Sequence, residues 1–164
     1  LIRPTLLCLA FLYGAASAEE TALKSASTAA PPVVQAVRTT AYTHSESDHL
    51  KYGARTAVGT PLRHGAVRSA AADWSVYPVG TVFQIQSDPA IYVIDDYGSA
   101  LVGTRTIDLY KPTAGLMNLW GTRHVNIRIL KWGSYTRSLA ILMPRAAKSP
   151  HIREMIGRLR TRET

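Results

Sequence analysis

Residues 91–110 read Ile91-Tyr92-Val93-Ile94-Asp95-Asp96-Tyr97-Gly98-Ser99-Ala100-Leu101-Val102-Gly103-Thr104-Arg105-Thr106-Ile107-Asp108-Leu109-Tyr110. Ile91 to Ile94 is a short apolar run and Arg105 to Tyr110 is a second apolar strand, with Tyr97-Gly98 and Gly103 as turn signals between them. Asp108 falls inside the second strand. There a carboxylate is costly to bury unless it is paired, hydrogen-bonded or kept protonated.

The pattern continues on both sides. Val82, Gln84 and Gln86 alternate with Phe83, Ile85 and Ser87, and Val125, Ile127 and Ile129 alternate with Asn126, Arg128 and Leu130. Gly53, Gly59, Gly65, Pro78-Val79-Gly80, Asp88-Pro89, Lys111-Pro112 and Gly121 punctuate the chain, and only Thr113 to Leu119 leaves room for a compact helix. Short, evenly spaced strands with one small helix predict an all-β closed barrel over residues 38–134.

Beyond that region the composition changes. Arg3, the apolar run Leu6 to Tyr13 and the small residues Ala16-Ser17-Ala18 predict a signal peptide over residues 1–18, and hence an exported protein of the periplasm or cell envelope. Cys8 lies in that segment, so the mature chain would hold no cysteine; disulfides, cysteine nucleophiles and thiolate metal sites are excluded together. The Ala-, Ser- and Thr-rich stretch with Pro31-Pro32 predicts a flexible linker over 19–37.

Residues 135–164 form a basic C-terminal extension with seven basic and two acidic side chains. Ile152, Met155, Ile156 and Leu159 recur there at helical spacing, predicting an amphipathic helix. Such a helix either packs on the domain or attaches peripherally to anionic envelope material. Residues 38–134 carry ten basic and seven acidic side chains, so the excess charge sits mainly in the tail and argues against a nucleic-acid groove in the core.

No dinucleotide, phosphate-loop, serine-elbow or zinc-protease motif is present. What stands out is the aspartates: Asp73, Asp95, Asp96 and Asp108 all lie at or within predicted strands, while residues 38–134 contain one glutamate, Glu46. Clustered carboxylates raise one another's pKa, which suits a general acid near neutral pH.

These residues also carry a resemblance. Asp96-Tyr97-Gly98-Ser99-Ala100-Leu101, Gly103 and Ile107-Asp108-Leu109-Tyr110 resemble the signature of the 3D domain family, named for three aspartates. Thr40-Ala41-Tyr42-Thr43, Thr56-Ala57-Val58-Gly59, Ala70-Ala71-Ala72-Asp73 and Pro78-Val79-Gly80-Thr81 follow that family's order, and Gly121 to Leu130 resembles its closing strand. The likeness spans about residues 38–133. The Asp96 to Asp108 interval is one residue longer than in the lytic transglycosylase pattern, which places the difference in the loop between Gly103 and Thr106.

The family is similar to the catalytic region of membrane-bound lytic transglycosylase A and to stationary-phase survival proteins. The resemblance implies a six-stranded double-psi β-barrel with one or two short helices. It implies cleavage of the β-1,4 bond between N-acetylmuramic acid and N-acetylglucosamine in peptidoglycan glycan strands. Asp108 takes the single acid/base role, and Asp96 and Asp73 line the site. Tyr42, Thr43, Tyr97, Gly98, Ser99 and Tyr110 are implied substrate contacts, and a monomer without cofactor or metal is expected. One acid suffices: it protonates the leaving oxygen and then accepts the proton of the muramic C6 hydroxyl as a 1,6-anhydro ring closes.

Two alternatives stay open at this level. Asp96 in the role of second carboxylate would make a hydrolase. An expansin-like module would bind wall polymer without cutting it, and would need an open aromatic platform, for which Trp74, Tyr97, Tyr110 and Trp120 are candidates. Separately, His44-Ser45-Glu46-Ser47-Asp48-His49 has the composition either of a zinc or manganese site or of a polar loop beside a carbohydrate cleft.

Overall fold

The computed structural model describes residues 34–47 and 50–162. The signal peptide and most of the linker expected from the sequence lie outside the described residues. The strands are β1 (Val34–Tyr42), β2 (Val67–Ala71), β3 (Val82–Ile85), β4 (Ile91–Asp96), β5 (Ile107–Tyr110) and β6 (Arg123–Lys131). The helices are α1 (Ala114–Trp120), α2 (Tyr135–Leu142) and α3 (Pro150–Arg160). The protein is thus mostly a six-stranded sheet with a few helices.

The sheet runs β1-β5-β2-β4-β3-β6, and β1 pairs with both β5 and β6, so the strand order closes on itself. Alternation decides what goes inside. Val37, Ala70, Phe83, Ile85, Tyr92, Ile94, Ile107, Leu109, Ile127 and Ile129 are buried in one cluster. A second buried cluster of Tyr42, Ala71, Leu101 and Tyr110 lies on the other face. Asp108 stands between Ile107 and Leu109, so its side chain faces away from the main core.

Two expectations need correction. The linker expected over 19–37 ends earlier, because residues 34–37 are already strand: Val34 registers with Arg128 and Val37 with Val125, and Val37 is buried. Their Ala- and Pro-rich neighbourhood masks the strand in sequence. The tail, from which one amphipathic helix was expected, contains two helices joined by a 3-10 segment, Met143–Lys148. Ser134 caps α2 by accepting from the Arg137 N–H.

The apolar stripe of α3, Ile152, Met155, Ile156 and Leu159, is buried in the main cluster together with Leu142 of α2. The tail is therefore packed on the sheet. Gly133 makes its entry possible, since a Cβ there would collide with the Pro78 and Val79 carbonyls and the Thr81 N–H. The Ser138 hydroxyl, fully buried, accepts the Val79 N–H at 2.9 Å.

Candidate active site

The site grows out of register. Ala71 on β2 is opposite Asp108 on β5 and opposite Asp96 on β4, so the two aspartates flank it. Two strand spacings put their Cα atoms roughly 10 Å apart. On the far side of β5, Thr40 is opposite Asp108 and Tyr42 is opposite Tyr110. Thr40, Asp108, Ala71 and Asp96 therefore form one row across four strands.

The two carboxylates are held differently. Asp96 is 6% exposed; its Oδ2 accepts the Tyr42 hydroxyl at 3.0 Å, and its Oδ1 accepts the N–H groups of Ala57 and Tyr97 at 3.0 and 2.9 Å. Donors directed at both oxygens favour the anion. Burial, with the Asp96, Asp95 and Asp108 carboxylates nearby, raises the Tyr42 phenol well above its ordinary range, so it stays a donor.

Asp108 is half-buried and accepts one hydrogen bond among the described residues, from the Thr40 hydroxyl to Oδ1 at 2.7 Å. Burial lifts its carboxyl from 3.8 to about 6, and the negative charges of Glu46 and Asp96 push the same way. The Thr40 bond and the Arg38 guanidinium pull it down without cancelling the rise. A carboxyl titrating near 6 exchanges its proton at physiological pH.

Glu46 escapes sequence reasoning as a neighbour of Asp108, because the loop after β1 has no periodicity that would fix where it folds. Its Oε2 accepts the Thr43 N–H at 3.0 Å, which turns the loop back over the strand end. His44 belongs to the same loop, and its Nδ1 shares a 2.8 Å hydrogen bond with the Tyr110 hydroxyl. Asp48 and His49 lie outside the described residues. No group of three metal-capable side chains occurs among the described residues.

Asp73 is held by a different set of partners from those of Asp96 and Asp108. It is fully buried, Oδ1 accepts the N–H and hydroxyl of Ser75 at 2.8 and 2.7 Å, and Oδ2 accepts the Gly103 N–H at 2.8 Å. Gly103 has φ +81°, a conformation side chains disfavour. Asp73 therefore ties the turn after β2 to the loop that leads into Asp108.

The implied sugar contacts divide in a similar way. Tyr42, Thr43 and Tyr110 are buried, Gly98 is half-buried and Ser99 is exposed. Tyr97 packs edge-on against the buried Trp74 with centroids 5.0 Å apart, and also lies against His151 of α3. Trp74 donates its indole N–H to the Asp96 carbonyl at 2.8 Å. Trp120 has Lys111 Nζ 4.6 Å and Arg123 Cζ 4.2 Å from its ring centroid.

Residues 68–131 match the family model described as the 3D domain. Over that stretch, 64 of the 164 residues, the sequence is similar to that family. That family is consistent with a lytic-transglycosylase-like or cell-wall-related domain. The match takes in Asp73, Asp96 and Asp108 but not β1, so Thr40, Tyr42 and Glu46 join the 3D domain's aspartates through the fold. No curated protein matches the chain.

Proposed function

We propose that this protein is an exported lytic transglycosylase acting on peptidoglycan, with its closed sheet a double-psi β-barrel and Asp108 the single acid/base. The observation that carries the reading is the contrast between two neighbouring aspartates: one lifted to about 6 with a single donor, the other buried and saturated by donors. Protonated Asp108 gives its proton to the leaving glycosidic oxygen. The resulting carboxylate, steadied by Thr40, then takes the C6 hydroxyl proton as that oxygen attacks the anomeric carbon. The old C–O bond breaks with the first proton transfer to leave an oxocarbenium ion, and the C6 oxygen then forms the new bond to that carbon, so no water is consumed.

Asp96 contributes a fixed negative charge facing the developing oxocarbenium ion and keeps the Asp108 pKa high. Asp73 positions the loop to Asp108 without touching sugar. A hydrolase needs a second carboxylate free to activate water, and the three donors on Asp96 argue against that use. The expansin-like alternative needs an open platform; of its candidate aromatics Trp74 and Tyr110 are buried, and Tyr97 and Trp120 are half-buried.

The test is turnover of purified murein by wild type and by Asp108→Asn. General acid/base catalysis is worth roughly 10²–10⁴-fold, so release of soluble fragments should fall by that factor while murein binding persists. Equal turnover by both proteins would remove Asp108 from the mechanism.

A further inference from the structure

Asp95 takes no part in the chemistry above. The register between β2 and β4 shifts between Ala70, opposite Ile94, and Ala71, opposite Asp96, so Asp95 is the extra residue of a β-bulge. Bulges re-aim side chains next to functional sites. Asp95 is 4% exposed, and its Oδ2 accepts Arg63 Nη2 at 2.8 Å and the Ser69 hydroxyl at 2.9 Å. Oδ1 is buried and has no hydrogen-bond partner among the described residues; the Ala70 N–H helps to hold the charge without bringing Oδ1 a bond of good geometry. A buried acceptor without a donor destabilises a fold and calls for an explanation.

Asp95 is also one of the residues lining an open pocket of about 330 Å³, a size suited to small ligands. Val58, Pro61, Val79 and Val93 supply apolar wall, and Arg63 and Arg137 supply cations. Arg63 is held by Asp95. Arg137 is exposed, and its guanidinium makes no hydrogen bond or ion pair among the described residues. The complementary ligand presents a donor to Asp95 Oδ1, an anion to Arg137 and small apolar groups to the valines. A neutral sugar lacks the anion, and a bare inorganic anion lacks the apolar groups. A short peptide with an amide N–H, methyl side chains and a carboxylate has all three.

The pocket adjoins the candidate site. Asp95 directly precedes Asp96, and Val58 directly follows Ala57, whose N–H donates to Asp96 Oδ1. We propose that this pocket binds the peptide substituent of the glycan, taking an amide N–H on Asp95 Oδ1 and a carboxylate on Arg137. The assignment rests on the peptidoglycan reading, since that polymer bears peptides on its muramic residues. Roughly 10 Å separates the Asp96 end of the row from Asp108, which lets one muramic unit present its glycosidic oxygen to the acid and its peptide to the pocket.

The test is titration of the full chain with N-acetylmuramyl-L-alanyl-D-isoglutamine, followed by backbone amide chemical shifts. Saturable shifts at Val58, Val93 and Asp95 are expected, and the free dipeptide should reproduce them while N,N'-diacetylchitobiose should not. Arg137→Ala should weaken binding at least tenfold and Arg137→Lys by less. Absence of shifts, equal shifts from chitobiose, or undiminished binding by Arg137→Ala would overturn the proposal. No cleavage is needed for this readout. Peptide binding without murein cleavage would sink the catalytic reading and leave the pocket, and cleavage without peptide binding would do the reverse.

Discussion

Asp108 and Asp96 face the same residue, Ala71, from the strands on either side of it. The closed sheet therefore holds two carboxylates at a spacing fixed by backbone hydrogen bonds rather than by loops. Only one of them is surrounded by donors on both oxygens. The asymmetry sets two like residues apart, one carboxyl lifted to about 6 and the other held by donors on both oxygens.

Asp108→Asn should stabilise the protein at pH 7. The folded carboxyl titrates at about 6 against 3.8 unperturbed, so the native state binds the proton more tightly than the unfolded chain. Stability then falls as pH rises between those values and stays lower above them. Two pKa units correspond to about 3 kcal/mol at most. Denaturant melts at pH 7 and pH 4 check this: the variant should gain at pH 7 and little at pH 4.

The activity should decline as pH rises through about 6, because the acid must begin protonated. Glu46→Gln removes a charge that raises the Asp108 pKa, so the falling limb should move to lower pH. Thr40→Val removes a donor that favours the anion, so the limb should move to higher pH. Rate–pH profiles of the three proteins decide it; shifts in the same direction would contradict the assigned surroundings of Asp108.

Asp73→Asn should cost stability rather than chemistry. The amide can still accept from Ser75 through its oxygen, but its NH₂ then faces the Gly103 N–H donor. A loss of about 1–3 kcal/mol is expected for the buried unpaired group, with the pH of the falling limb unchanged. A displaced limb in the folded variant would show that Asp73 acts on the acid.

Much of this arrangement was legible in the sequence. The alternation at Val82 to Ile85 and Val125 to Leu130, the run at Ile91 to Ile94 and the strand around Asp108 gave four strands, and the compact helix expected over Thr113 to Leu119 is there as Ala114–Trp120. β2 was hidden because Arg68, Ser69 and the alanines 70 and 71 lack β-branched character, although that smallness lets Ala71 lie between two aspartates. The Glu46 contact and the Asp95 bulge depend on loop closure and register, which no local period encodes.

Met155→Ala should destabilise the whole domain, by about 2–5 kcal/mol as for other buried methionines, because Met155 is fully buried in the cluster shared with the sheet. Arg145 also donates to the Ala57 carbonyl at 2.9 Å, joining the tail to the segment that holds Asp96. Thermal melts should show one cooperative transition at lower temperature. A melt unchanged from wild type would mean that the tail is an independent appendage.

The central claim is that Asp108 cleaves the glycan alone, without a water-activating partner. Digesting purified murein in H₂¹⁸O and weighing the muramic ends tests it most directly. The account predicts 1,6-anhydromuramic ends, one water lighter than hydrolysis products and free of ¹⁸O. Reducing muramic ends carrying one ¹⁸O would contradict it and give Asp96 or another group the role of a base.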